Sequence, residues 1–425
     1  MKILFYALLF GSFLQGCNMS DAKTGKAGLE DSLQYSPPTP GKLSREEFRR
    51  YFRMLDHFFD STLIKRGFNG SILIAKEGEI LYEKYSGYRD LRLRDSLTDT
   101  TSFHLASTSK PFTAMAILRL VQENKLSIDD SLSRFFPSLP YPGITIKMLL
   151  NHRSGLPNYV HFMGDNKKWD TRITVTNESM LEFMYTRKPP RDFVPGTRFA
   201  YSNTNYVLLA MIIEKISGLP YAEFMTRKLF APLQMQHTYV YTLDKDSIAT
   251  RSFKGNGEIW DNDHLEGTYG DKNIYSTPRD MLKWDQALYT GQFLRKSLLD
   301  SAFMPYSFEK PGIHNYGLGW RMLLMPNGKK VIYHFGKWHG FTPAFARLTD
   351  EKVTIIILGN KFNRNIYTSA HHAYDLFGNY LQHRNQDRGE ADTPEPVRRK
   401  TISRKKAPSL KKQAFTPKKA ARRIR

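Results

Sequence analysis

Ser107 and Lys110 stand three residues apart in HLASTSKPFTAMAILRL, where a helix is predicted to begin. Residues three apart on a helix share a face, so a hydroxyl and an amine can meet there. A serine hydroxyl is a poor nucleophile until a base takes its proton, and a desolvated lysine is one such base. The spacing alone carries little, because Ser-x-x-Lys begins at Ser20, Ser107, Ser307, Ser403 and Ser409. A second pair of chemical groups is Tyr201 and Asn203, separated by Ser202. On an extended loop, residues two apart point the same way, so a phenol and an amide can converge. Taken singly they read as a packed loop tyrosine and a turn asparagine. His334 in His334-Phe335-Gly336 is a third candidate, with Gly336 allowing close backbone approach. A lone strand histidine is more often a structural hydrogen-bonder.

The elements that must carry these groups are legible in outline. SREEFRRYFRMLDHFFDSTLIKRG predicts an amphipathic helix from Ser44, with a Ser44 to Glu47 capping box. GSILIAKEGEILYEKYSG predicts two strands joined at Glu77-Gly78. A helix follows near Ser107, with Pro111 in its first turn, where a missing N–H costs little. TNYVLLAMIIEKISG predicts a helix ended by Gly218. Late in the chain KKVIYHFG, TPAFARL and KVTIIILGN predict strands, and a helix is expected over roughly 366–384. Strands at both ends with helices between imply an α+β fold. Its antiparallel sheet is built from N- and C-terminal segments and flanked by helices, with a mostly helical region inserted.

The 425 residues suffice for one large or two medium domains with a substantial core. A formal net charge of +22 suggests a polyanion binder, but its placement argues otherwise. Thirteen of those charges fall between Val397 and Arg425, where no acidic residue occurs, leaving +9 for the rest. The sole cysteine, Cys17, excludes an internal disulfide and a Cys-based zinc site. It closes MKILFYALLFGSFLQGC, a lysine and a short apolar run that reads as a lipoprotein signal, with lipidation at Cys17. The division expected is a signal peptide over 1–16, a linker over 17–45, a catalytic domain over 46–387 and a basic tail over 388–425. The mature protein is then expected on the bacterial cell envelope, lipid-anchored and facing the periplasm or the exterior.

With these elements in place, the order of motifs resembles the serine β-lactamase and penicillin-binding protein superfamily, in its class C-like branch. FHLASTSK, the following PFTAMAILRL…LLNHRSGLPNY, PGTRFAYSNTNYVLLAMIIEKISG, IYSTPRDMLKWDQAL, YGLGW and HFGKWHGF carry the resemblance over roughly residues 68–360. Ser-x-x-Lys is a signature of these relatives. The branch also holds D-alanyl-D-alanine carboxypeptidases and esterases. The resemblance implies an acyl-enzyme made on Ser107, with Lys110, Tyr201 or the coupled pair as base, a choice the sequence leaves open. It implies that Asn203 binds a substrate amide or orients Lys110. The N–H groups of Ser107 and Lys337 would form the oxyanion hole, with free N–H groups of a helix start assisting at Ser107. His334 and Gly336 would line the cleft. His334 stands where classical β-lactamases carry a lysine, which points to peptidase or esterase chemistry.

No cofactor or metal is implied. The expected substrates are, in order, a D-amino-acid peptide, a cell-wall fragment, a small ester and a β-lactam. An α/β-hydrolase elbow, a His-Glu-x-x-His pair and a P-loop are all missing from the sequence. Adjacent His371 and His372 point apart on a helix, which disfavours joint metal binding. The alternative is a catalytically inactive binding module whose tail holds a polyanion. Nucleic acid is disfavoured, since the tail's sole aromatic is Phe415. Retention of Ser107, Lys110, Tyr201 and Asn203 argues against an inactive module. Oligomeric state is open.

Overall fold

The computed structural model describes residues 35–247 and 249–382. The signal segment, Cys17 and the basic tail lie outside the described residues. Among those described, no helix is long and apolar enough to cross a membrane.

Helix α1 (Arg45–Thr62) starts at Ser44, whose side chain accepts from the Glu47 N–H while the Glu47 carboxylate reaches back. Strands β1 (Gly70–Lys76) and β2 (Glu79–Ser86) form the expected hairpin. Its turn residues Glu77 and Gly78 both have positive φ, at 49° and 81°, the conformation that matches the twist of a two-residue hairpin. The C-terminal half supplies β3 (His314–Tyr316), β4 (Arg321–Leu324), β5 (Lys330–Phe335), β6 (Ala344–Leu348) and β7 (Val353–Gly359). All seven form one antiparallel sheet in the order β2-β1-β7-β6-β5-β4-β3. The closing pair is β1 with β7, running from Gly70 opposite Gly359 to Lys76 opposite Val353. N- and C-terminal segments of the described domain therefore pair inside the sheet, and the fold is α+β.

Period-two alternation sorts each strand between two cores. Ile355 and Ile357 of β7 face a core shared with Leu55 and Phe59 of α1 and with Ile366 and Ala370 of α5 (Asn365–Tyr374). Ile356 and Leu358 face the larger core. That core holds α2 (Lys110–Gln122), α3 (Thr204–Ser217) and α4 (Pro278–Thr290). Helix α3 ends at Gly218 in the left-handed conformation, φ 70°. Helix α5 is shorter than the predicted 366–384. Beyond Tyr374, the Asp375 carboxylate accepts the N–H groups of Tyr380 and Gln382, folding the chain back on itself. Residues 35–44, assigned to the linker, are pinned along the domain. Tyr35 is buried, Gly41 donates to the Glu77 carbonyl and Leu43 to the Glu79 carboxylate.

One buried ion pair ties α4 to the sheet. Asp285 of α4 accepts from Arg347 Nε of β6 and from Thr354 Oγ1 of β7, each at 2.5 Å. Removing one partner of such a pair strands a charge in the core. Asp285→Ala is expected to lower unfolding free energy by about 3–5 kcal/mol in urea melts at neutral pH. The double change Asp285→Leu with Arg347→Met should recover most of that loss.

Candidate active site

Ser107 sits where the cores meet the sheet, and its local structure departs from expectation. It lies in a 3₁₀ turn, Ala106–Ser109, and α2 begins only at Lys110 with Pro111 in its first turn. Ser107 therefore precedes the α-helix, so its hydrogen bonds are those of the tighter turn. Ala106 has φ 48°, a strained value for a residue with a Cβ. This bend brings Ser107 to the end of β5. A Cβ on Gly336 would stand 2.7 Å from the Leu105 carbonyl oxygen and 2.8 Å from the Ser107 nitrogen. Glycine is the only residue that fits. Thr108 Oγ1 donates to the His334 carbonyl at 3.1 Å, fastening turn to strand. Gly336→Ala is expected to fold and to lose roughly 100-fold in acylation rate, the cost of about 1 Å of misplacement. Stopped-flow labelling beside a circular dichroism spectrum checks both halves.

Lys110 is fully buried. Its Nζ lies 3.1 Å from Ser107 Oγ, and donates to Asn203 Oδ1 and to the Asp271 carbonyl, each at 2.8 Å. Burial pulls its pKa down to about 7; the Asp271 charge opposes this and Arg321 reinforces it. In the neutral amine, two N–H bonds go to Asn203 and Asp271. The lone pair is left for the Ser107 hydroxyl proton.

Tyr201 and Asn203 do converge, although not on an extended loop. Asn203 has helical backbone angles, φ −65° and ψ −30°, and caps α3. Its N–H donates to Asn158 Oδ1 at 3.3 Å, while its side chain makes no capping bond to the helix and its oxygen accepts from Lys110. Tyr201 packs against His152 with the rings tilted by 35° and their centroids 4.3 Å apart, and Lys110 Nζ lies 4.9 Å from its ring centre. Its hydroxyl is buried with no partner in hydrogen-bonding geometry. Burial raises its pKa, and nearby Arg321 and Ser107 recover only part of that. Tyr201 is therefore a neutral phenol at rest, and the Lys110 amine is the group able to take a proton near neutral pH. A buried phenol can still relay a proton to a leaving group.

His334, on β5, is fully buried rather than facing open solvent. Its Nδ1 lies 2.9 Å from the Phe335 carbonyl oxygen, so that nitrogen carries the proton, and Nε2 is 3.3 Å from the Tyr316 hydroxyl. The two oxyanion amides assigned from the resemblance, Ser107 and Lys337, flank the Gly336 contact just described. Sequence reading missed Arg321 and Asp271. Arg321 of β4 is opposite Tyr333 in the sheet, and its guanidinium lies 5.1 Å from the Tyr201 ring centre. Asp271 offers its backbone to Lys110 and its side chain to the Tyr159 hydroxyl at 2.9 Å. Neither has a local sequence signal, since strand register and loop path place them. His152 was also passed over; its Nδ1 accepts the Ser202 N–H and so holds the Tyr201 loop.

Among the described residues, Asp263, Glu266 and His339 bring metal-ligand atoms within 4.8 Å of one another. There Glu266 Oε1 accepts from the Trp338 indole N–H at 2.8 Å and pairs with His339 Nε2 at 2.7 Å.

The site sets a serine hydroxyl 3.1 Å from a buried lysine amine, an arrangement suited to acyl transfer. The family model described as beta-lactamase matches residues 55–378, and this chain belongs to that family, whose members are serine hydrolases. It is 34% identical over 335 residues to penicillin-binding protein 4* of Bacillus subtilis (strain 168), covering 74% of this chain and 73% of that protein. Among solved structures, the octameric penicillin-binding protein homologue from Pyrococcus abyssi has TM-score 0.67 and 27% identity, covering 76% of this chain and 77% of that one. D-amino acid amidase from Ochrobactrum anthropi SV3, complexed with D-phenylalanine, has TM-score 0.61 and 26% identity, covering 74% and 92%.

Proposed function

We propose that this protein hydrolyses D-amino-acid peptides at the cell envelope, as a D-alanyl-D-alanine carboxypeptidase- or esterase-like enzyme. The carrying observation is the Lys110 amine, buried and 3.1 Å from Ser107 Oγ. Ser107 Oγ attacks the carbonyl carbon as its proton passes to Lys110 Nζ. The N–H groups of Ser107 and Lys337 stabilise the oxyanion. The tetrahedral adduct expels its leaving amine or alkoxide, which takes a proton from Lys110 directly or through Tyr201. Water then attacks the acyl-enzyme and restores Ser107. The D-configuration is suggested by the amidase neighbour and the wall-related substrate by the penicillin-binding relatives. Envelope placement rests on the lipoprotein-like segment ending at Cys17.

Arg321 favours a peptide with a free C-terminal carboxylate, since it supplies a cation beside Tyr201 where His334 is buried and hydrogen-bonded. Intact-mass analysis with a fluorophosphonate and with a penicillin tests the acyl-enzyme. Turnover of D-alanyl-D-alanine peptides against their L-isomers and C-terminal amides tests the substrate class. Arg321→Met is expected to raise KM about tenfold for the free-carboxylate peptide and to leave the amide nearly unchanged, the scale of one lost charged hydrogen bond. Labelling without D-peptide turnover would move the assignment to a small-ester hydrolase. Failure of both reagents on folded protein would favour the inactive binding module.

A further inference from the structure

The turn that carries Ser107 is held by a clamp from outside the catalytic set. Ala106, with φ 48°, donates its N–H to His104 Nδ1 at 2.9 Å. A backbone N–H can only donate, so Nδ1 of His104 is bare and the ring proton is on Nε2. That proton points to Asn273 Oδ1 at 2.8 Å. Asn273 is itself in the left-handed region, φ 72°, and its Nδ2 donates to the carbonyls of Glu266 and Thr268 at 2.6 and 2.9 Å. Every polar atom in the chain of contacts is matched to its proper partner.

We propose that His104 and Asn273 are positioning residues that lock the strained Ala106 amide and thereby aim the Ser107 hydroxyl and N–H. The proposal rests on Ser107 being the nucleophile. Three observations support it. First, relaxing Ala106 toward ordinary φ would rotate the peptide that leads into Ser107, and the close fit of Gly336 against the Ser107 nitrogen leaves no slack for that. Second, the same loop that ends in Asn273 supplies the Asp271 carbonyl to Lys110. The loop therefore sets nucleophile and base against each other from one side. Third, His104 is sealed in by Tyr275 and Phe341, ring centroids 5.0 and 5.3 Å away. Burial holds its pKa down at about 4; Glu266 opposes this charge loss, while Lys272 and His339 add to it. The bare acceptor thus survives across the working pH range.

The bond from Nδ1 to the amide two residues on has the form of an Asx-turn, which an asparagine side chain makes equally well. This supplies a discriminating series, read as the second-order rate of fluorophosphonate adduct formation by intact mass in the full-length protein. His104→Leu is expected to slow labelling about 100-fold, comparable to losing one oxyanion donor. His104→Asn, which restores an acceptor for Ala106, is expected to recover labelling to within about tenfold of wild type. Peptide KM should change by less than threefold in both, because neither residue touches substrate. Asn273→Gly suits the left-handed φ and removes only the side chain. It is expected to slow labelling about tenfold, and serves if His104→Leu does not fold. A folded His104→Leu or Asn273→Gly protein labelled at the wild-type rate overturns the clamp, as does equal slowing by Leu and Asn at 104. Lack of labelling in wild type would instead overturn the nucleophile assignment.

Discussion

Ser107→Ala protein is expected to fold like wild type, to form no covalent adduct with fluorophosphonate or penicillin, and to lose peptide turnover on the order of 10⁴- to 10⁶-fold. The magnitude follows from removal of a nucleophile that works as a unit with its base. The fold should tolerate the change because the turn is fixed elsewhere, through Gly336, Thr108 and the Ala106 amide. The 3.1 Å contact to Lys110 is lost, together with the influence of the hydroxyl on Tyr201. Intact mass with and without reagent, beside a thermal melt, separates loss of chemistry from loss of structure. Residual turnover above a thousandth of wild type would show that another group attacks.

Lys110→Met is expected to lower kcat/KM about 10³-fold, within the range general-base catalysis supplies. Lys110→Arg should lose as much, because arginine keeps the charge and cannot give up its proton. The wild-type pH profile carries the sharper test. Lys110 acts as base only when neutral, and burial places its pKa at about 7. Below that value the ammonium form dominates and kcat/KM should fall about tenfold per pH unit. Above it the rate should level off, not decline, until the leaving-group proton donor titrates. Tyr201 is pushed up by burial and so cannot produce the limb near 7. Asp271 raises the Lys110 pKa, so Asp271→Asn should move the limb to lower pH, whereas loss of Arg321 should move it higher. A limb that ignores both substitutions would assign the titration to another group.

How far the chain could be read in advance differs by the kind of information involved. Residues acting within one turn or one strand were legible. The Ser44 to Glu47 box, the Glu77-Gly78 hairpin and the Gly218 helix stop depend on neighbours in sequence, and all formed as predicted. Ser107, Lys110, Tyr201 and Asn203 were legible as well, since their spacing and order are carried by the chain, and the structure gathers them around one amine. The local conformations at Ser107 and Asn203 were misjudged. There the 3₁₀ turn and the early helical cap answer to contacts from Gly336, His334 and Asn158, which lie far off in sequence.

By itself, then, the sequence determined the α+β class, the element types and the four candidate catalytic groups. Tertiary structure alone decided how those groups titrate. A lysine becomes a base near neutral pH only after its amine is stripped of water, and only packing strips it. Packing likewise decided that Tyr201 stays a phenol and that His334 turns inward. It brought Arg321, Asp271 and His104 to the site through strand register and loop path, properties of long-range pairing that no local pattern encodes.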